Sequence, residues 1–375
     1  MPRPMARSRS DCRIGSSSTT ASTRSLSWAF ASAAETGRGT GVPGFGGFGR
    51  APCAAATTGR ARTARSATTG EEGRIVRLCT IEGHASIPPV MSEPAAGSSR
   101  LTVGLAQIDC RLGDLAANLD RHLAWIERAK AAGVDLLVFP ELSLTGYRLL
   151  HLTTRVALPP QAPLLDRLAE AARPMAVVAG FVEESDRGLL HNSAVLLSGG
   201  PRRHIHRKLY LPTYGLFQEE RFFRPGRRLD LAPLPWGRAG VLICEDLWHP
   251  ELARRLAVAG ARLLIVLSAG PGRVGSGDVP ASHESWEMLC RTTALLDTCW
   301  VVYCNRVGWE EGSFYSGGSL VVRPGGEVAT RAPFLDEHLL VTEIDLREAD
   351  RVRWRLPLLA DERIDIEGPD AEDRP

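Results

Sequence analysis

The sequence predicts an α/β domain built on a mixed sheet, and three observations carry that prediction. Short apolar runs bounded by Gly, Pro or polar residues recur from Leu101 onward, beginning with LTVGLAQ and DLLVFPE (135–141). Between these two, Leu115, Leu119, Leu123 and Ile126 repeat at helical spacing, which gives a β-α-β unit with parallel strands. Later apolar runs follow one another across short links, as antiparallel pairs do, so parallel and antiparallel strands share one domain.

Each element has its own signal. Gly113-Asp114 opens the first helix, and Ala131–Gly133 closes it. A second helix is expected over about 161–172. MAVVAGFVEE (175–184) and LLHNSAVLLS (189–198) read as a strand pair around Ser185–Gly188. RHIHRKLYLPTYGLFQEERFF (203–223) is mixed in character and reads as loop-rich. In GVLICEDLW (240–248) an apolar run ends at Cys244 and is followed at once by Glu245 and Asp246. That pattern predicts a buried strand whose polar end emerges at the carboxyl edge of a sheet, where sites gather in α/β proteins. A helix (251–259), the strand ARLLIVLSA (261–269), a Gly-rich loop (270–277) and a long helix (282–298) come next. Strands WVVYCNRV (300–307), GSLVVRP (318–324) and LLVTEIDL (339–346) complete the domain, and the charged tail beyond them carries no core of its own.

Composition narrows the function. The chain has 375 residues and a net charge of +2, but the excess of arginine lies in the first hundred residues and the remainder is mildly acidic. Nucleic acid is therefore not the expected partner of the folded part. No run of apolar residues is long enough to cross a membrane. Eight cysteines are scattered without CxxC or Cys/His grouping, the pattern of reduced thiols in a cytoplasmic protein with no metal centre. Residues 1–100 are rich in Ser, Ala, Gly, Thr and Arg and show no periodicity, so they are expected to be disordered. The stretch GFGGFG (44–49) matches a dinucleotide fingerprint only formally, with no strand before it and no helix after it. The plainest reading starts the protein near Met91, with the domain over 101–365 and an acidic tail at 366–375. Only two of the 45 Lys and Arg residues are lysine, Lys130 and Lys208. In so arginine-rich a chain, a retained lysine hints at chemistry that arginine cannot perform.

Three segments each place one polar residue at a strand end or in an adjoining loop: Glu141 in VFPELSLTGY, Lys208 in HRKLYLPTYGLFQEERF and Cys244 in LICEDLW. Taken singly they could be a surface carboxylate, a surface lysine and a core thiol. Together, 67 residues apart and then 36, they resemble the nitrilase superfamily of carbon–nitrogen hydrolases, whose signature is Glu, Lys and Cys in that order. The resemblance runs from about Leu101 to about Asp365. PELSLTGY, KLYLPTY at 208–214, FQEERFF at 217–223 and ICEDLW look most like the glutamine-hydrolysing domain of glutamine-dependent NAD synthetases.

This resemblance implies an αββα sandwich that forms four layers on dimerisation, and an enzyme without metal or organic cofactor. The chemistry can also be argued from the residues. Amide hydrolysis needs a nucleophile, a base and a donor for the oxyanion. Cys244 would attack, and Glu141 would take its proton, pass it to the leaving nitrogen and later activate water. Lys208, beside the backbone N–H of Glu245, would hold the oxyanion. By the FQEERFF match, Glu219 would be a second carboxylate steadying Lys208. By the same resemblance Tyr147 and Tyr214 would line the substrate pocket, with Trp248 on the same wall, unless they are ordinary packing aromatics.

Two departures bear on the substrate. Gly270 stands where the glutaminase domains have a serine, and Ser276 where they have an arginine, with Arg273 nearby. No synthetase segment is expected beyond the hydrolase segment, and YSGGSL (315–320) lacks the Asp-Ser of an ATP-binding loop. The expectation is a stand-alone amidohydrolase of a small amide, a homodimer or higher homo-oligomer, for which glutamine is a poor substrate. The rivals are a glutaminase subunit serving a separate NAD synthetase, which a glutamine assay distinguishes, and a non-catalytic binding module, against which the intact Glu141, Lys208 and Cys244 speak.

Overall fold

The computed structural model describes residues 98–198, 203–273 and 280–363, all within a compact unit spanning Ala85–Pro375. The N-terminal extension, the GFGGFG stretch, Met91, Ser276 and the acidic tail lie outside the described residues.

Apolar alternation builds the first sheet. Its strands, numbered in chain order, are β1 (Arg100–Gln107), β2 (Leu136–Val138), β3 (Ala176–Glu184), β4 (Leu190–Leu197) and β5 (Arg203–Arg207), with a late strand at His338–Asp345 on the far edge of β1. As the β-α-β pattern predicts, β1, β2 and β3 are parallel neighbours, while β3–β4 and β4–β5 pair antiparallel. Successive side chains point to opposite faces. Leu101, Val103, Leu105, Leu136, Val138, Ala176, Val178, Ala194 and Leu196 thus face one core. Leu137, Val177, Ala179, Val195 and Leu197 face another, which they share with α1 (Leu115–Ala131) and α2 (Pro163–Ala172).

A second sheet contains β6 (Ala232–Leu234), β7 (Gly237–Ile243), β8 (Leu263–Ser268) and β9 (Trp300–Asn305). After the hairpin β10 (Val307–Glu310) and β11 (Ser313–Ser316), β12 (Leu320–Val322) and β13 (Val328–Arg331) extend this sheet beyond β9, and the late strand on β1 is β14. Between β5 and β6 lies the short α3 (Glu219–Phe222); α4 (Pro250–Val258) follows β7 and α5 (Ala281–Leu296) follows β8. The inward face of the first sheet shares its core with β7–β9 and with residues of α4 and α5. Helices therefore lie outside two sheets packed face to face, an αββα sandwich.

Several boundaries differ from the sequence reading. The apolar run 135–141 yields only the three residues of β2, because Pro140 has no N–H for a ladder and the chain turns at Glu141–Thr145. WVVYCNRV divides at Arg306 into β9 and β10. The segment 203–223 contains β5, whose polar side chains hid its period. The charged region after β14 is not coreless: α6 (Arg347–Arg355) buries Ala349 and Val352.

Candidate active site

The site lies where loops from both sheets meet. Glu141 sits in the turn that leaves β2, pressed against β3 at Gly180. A Cβ on Gly180 would stand 2.2 Å from the Leu142 nitrogen and 2.7 Å from the Pro140 oxygen, so only glycine lets this turn close. Leu142 takes a positive φ of 48° to bring the carboxylate round. Glu141 Oε2 accepts from Ala269 N at 2.9 Å, just beyond the end of β8. A carboxylate rooted in one sheet is thus held by the backbone of the other.

Lys208 follows β5 and is fully buried. Its Nζ donates to Glu141 Oε1 at 2.8 Å and to Glu219 Oε1 at 2.6 Å. Asn192 Nδ2 on β4 also donates to Glu141 Oε1, at 2.8 Å, and more distantly to Glu219 Oε2, at 3.4 Å. Burial alone would lower the lysine pKa, but the two carboxylates carry it well above the ordinary value, so the ammonium stays charged. Burial raises Glu219 to about 7, against the opposing pull of Lys208. Three buried charges so close together are costly unless mutually paired, and an arrangement of this kind is expected where chemistry requires it.

Cys244 is the first residue after β7 and is buried. Its φ of 47° lies in the left-handed region, which a non-glycine residue adopts at a cost of about 1–2 kcal/mol. The strain turns the chain abruptly from β7 into a 3-10 turn, Cys244–Trp248. Ser268 Oγ lies 3.5 Å from Sγ. Burial raises the thiol pKa well above its usual value, Glu141 raises it further and Lys208 opposes. The resting group is therefore the neutral thiol.

Asp246 locks this turn in place. It is completely buried and accepts from Ile243 N at 3.0 Å, Leu209 N at 2.9 Å, Tyr210 N at 3.1 Å and His206 Nε2 at 2.9 Å. The backbone on either side of Lys208 is thereby tied to the turn that carries Cys244.

The expected pocket residues divide. Tyr147 is buried and donates its hydroxyl to Glu219; beside it a small cavity of about 40 Å³ is bordered by Leu149, Leu216, Phe222 and Phe223. Tyr214 is 56% exposed and donates to the Glu245 carboxylate at 2.9 Å, so both lie toward the rim. Trp248 is 44% exposed and packs edge-on against Trp286. Arg273 remains at the surface. Sequence reasoning missed Asn192, His206 and Ser268, and gave Asp246 no role. The one visible signal was the polar pair His191-Asn192 interrupting an otherwise apolar strand.

Fold and residue pattern together define a class. The chain belongs to the carbon–nitrogen hydrolase family, whose model matches residues 102–353; it is a carbon–nitrogen hydrolase of the nitrilase superfamily. Among individual relatives it is similar to the glutamine-dependent NAD(+) synthetase of Thermotoga maritima, at 34% identity over 68% of this chain and 43% of that protein. The enzyme of the same name from Acinetobacter baylyi is 30% identical over 66% and 44% of the two chains. The chain thus spans less than half the length of these relatives. Solved structures agree. A glutamine-dependent NAD+ synthetase from Acinetobacter baumannii superposes with a TM-score of 0.59 and 28% identity, over 66% of this chain and 46% of that one. A carbon–nitrogen hydrolase from Helicobacter pylori does so with a TM-score of 0.62 and 26% identity, over 71% and 96%.

Proposed function

We propose that the protein hydrolyses the carbon–nitrogen bond of a small amide through a thioester on Cys244. The observation that carries this reading is the fully buried Lys208 held between Glu141 and Glu219 at 2.8 and 2.6 Å, in the electrostatic environment of the Cys244 thiol. Because that thiol is neutral at rest, Glu141 takes its proton as sulfur attacks the carbonyl carbon. Lys208 Nζ and the Glu245 backbone N–H hold the oxyanion of the tetrahedral intermediate. Glu141 then delivers the proton to the departing nitrogen, and ammonia or an amine leaves. Water, deprotonated by Glu141, opens the thioester to the carboxylic acid and restores the thiol. Glu219 positions Lys208 and, through Tyr147, the neighbouring loop. No step calls on a metal or an organic cofactor.

The test is Cys244→Ala, which should abolish turnover with the thermal midpoint unchanged. Mass spectrometry of the wild-type enzyme should find an acyl adduct on the Cys244 peptide. An active Cys244→Ala enzyme, or an adduct on Cys290 or Cys304 instead, would overturn the mechanism.

A second reading makes glutamine the amide and a separate NAD synthetase the recipient of its ammonia; the names of the relatives favour it. A glutamine kcat/KM more than tenfold above those of neutral amides, about 1.4 kcal/mol in the transition state, selects this reading. In either case we infer a cytoplasmic homodimer or higher homo-oligomer, four-layered on dimerisation, whose mass light scattering measures directly.

A further inference from the structure

The wall beside Cys244 is aromatic, and one glycine explains how it comes so close. From the thiol, Ser268 Oγ lies at 3.5 Å and Tyr303 Oη lies 3.4 Å beyond it. Trp286 of α5 stacks on Tyr303, with ring centroids 4.9 Å apart, and Trp248 meets Trp286 edge-on at 5.4 Å. The three rings form a continuous ladder from the core to the exposed face of Trp248. Gly270 is the point of closest approach. A Cβ there would stand 2.9 Å from Trp286 Nε1 and 3.2 Å from Ser268 Oγ. The indole therefore occupies the space a side chain at position 270 would need. That position is next to Ala269, whose N–H holds the Glu141 carboxylate, so the indole edge, with its single N–H, stands in place of any side chain that residue 270 could have offered to a bound molecule.

Among the described residues three cations around the site are already engaged, while Arg273 lies at the surface. Lys208 is bound by two carboxylates, Arg306 by Glu310 and Asp109, and Arg148 by the Glu311 carbonyl and Ser313 Oγ. The polar atoms of this wall are neutral, the Ser268 and Tyr303 hydroxyls and the Trp286 indole N–H. Its rings offer no charge to pair with a carboxylate or an ammonium, and a buried charge left unpaired is rejected strongly. A flat or aliphatic group gains dispersion contact and sheds water against the same rings.

We propose that Trp286, seated over Gly270, is a specificity-determining residue that makes Cys244 accessible to amides with an uncharged apolar acyl group and disfavours amides of amino acids such as glutamine. This rests on the amide-hydrolase reading above and adds the substrate class to it.

The experiment separates the two claims by measuring binding as well as turnover. Cys244→Ala protein, which retains the wall but lacks the thiol, is titrated calorimetrically with hexanamide, phenylacetamide and glutamine, with Trp286 intact or changed to Leu or Phe. Intact Trp286 should bind the two apolar amides at least tenfold more tightly than glutamine. Trp286→Leu should lose most of that preference, and Trp286→Phe, which keeps an aromatic wall and guards against a misfolded Leu variant, should retain it. In the enzymes with Cys244 restored, Trp286→Leu should raise KM for apolar amides at least tenfold and alter kcat by less than threefold. Equal weakening of all three ligands by Trp286→Leu, a preference for glutamine in the parent, or loss of preference in the Phe variant overturns the inference. If the binding preference follows Trp286 while wild-type enzyme acylates no amide, the specificity claim stands and the hydrolase reading fails.

Discussion

At the scale of single residues, the site depends on a small cation in a chain whose basic residues are, apart from Lys130, otherwise arginine. Lys208 Nζ fits between two carboxylates with no exposed surface, and a planar, five-donor guanidinium does not fit that volume. Lys208→Arg should leave the protein folded by circular dichroism while lowering kcat by about 10²–10³, the usual cost of losing one oxyanion donor. A variant within threefold of wild type would show that the ammonium is not in the oxyanion site. Cys244 allows a separate expectation. Its thiol pKa is raised well above the usual 9.0 by burial and by Glu141, so the thiolate fraction is small at neutral pH and grows with alkalinity. Iodoacetamide labelling of Cys244 should still be accelerating past pH 9.0, and a plateau below pH 8 would contradict the shift.

At the scale of elements, the stability of the site resides in how turns are fastened to strands. Asp246 accepts four hydrogen bonds, three of them from backbone N–H groups. Asn offers one acceptor oxygen, so Asp246→Asn leaves buried donors unmatched at about 1–3 kcal/mol each. Urea unfolding should find it destabilised by about 2–4 kcal/mol, and a loss under 0.5 kcal/mol would mean the turn is held by something else. This is also the scale at which the sequence was most and least informative. Long apolar runs announced β3, β4, β7, β8 and β9, because a strand covered on both faces must be apolar throughout. Glu141, Lys208 and Cys244 were legible from the short motifs around them. By contrast, β5 and the hairpin β10–β11 carry polar side chains, and α6 has only two buried residues, so their periods were too weak to read. Asp246 and Asn192 act through partners 37 and 51 residues away, and no local pattern records such pairings.

At the scale of the whole molecule, the groups of the site come from both halves of the sandwich. Glu141, Asn192 and Lys208 come from the first sheet and its loops, Glu219 from α3, and Cys244 and the Ala269 N–H from the second sheet. Assembly of the two sheets is therefore coupled to protonation. Burial lifts the Glu219 carboxyl from 4.5 to about 7 on folding. Between those values the folded chain holds a proton that the unfolded chain has released, so stability must decline as pH rises across that window. The contribution of Glu219 is fully present below pH 4.5, falls away as pH climbs toward 7, and is gone above it. Glu219→Gln cannot ionise and escapes this decline, whatever constant offset it carries from altered hydrogen bonding. In paired urea titrations, the stability of Glu219→Gln relative to wild type should therefore increase from pH 5 to pH 8, with most of the change complete by about pH 7. A difference that stays flat, or that moves the opposite way, would mean that pairing with Lys208 outweighs burial. Glu219 would then be an ordinary anion in the assembled protein, and the site would hold a fixed net negative charge across the neutral range.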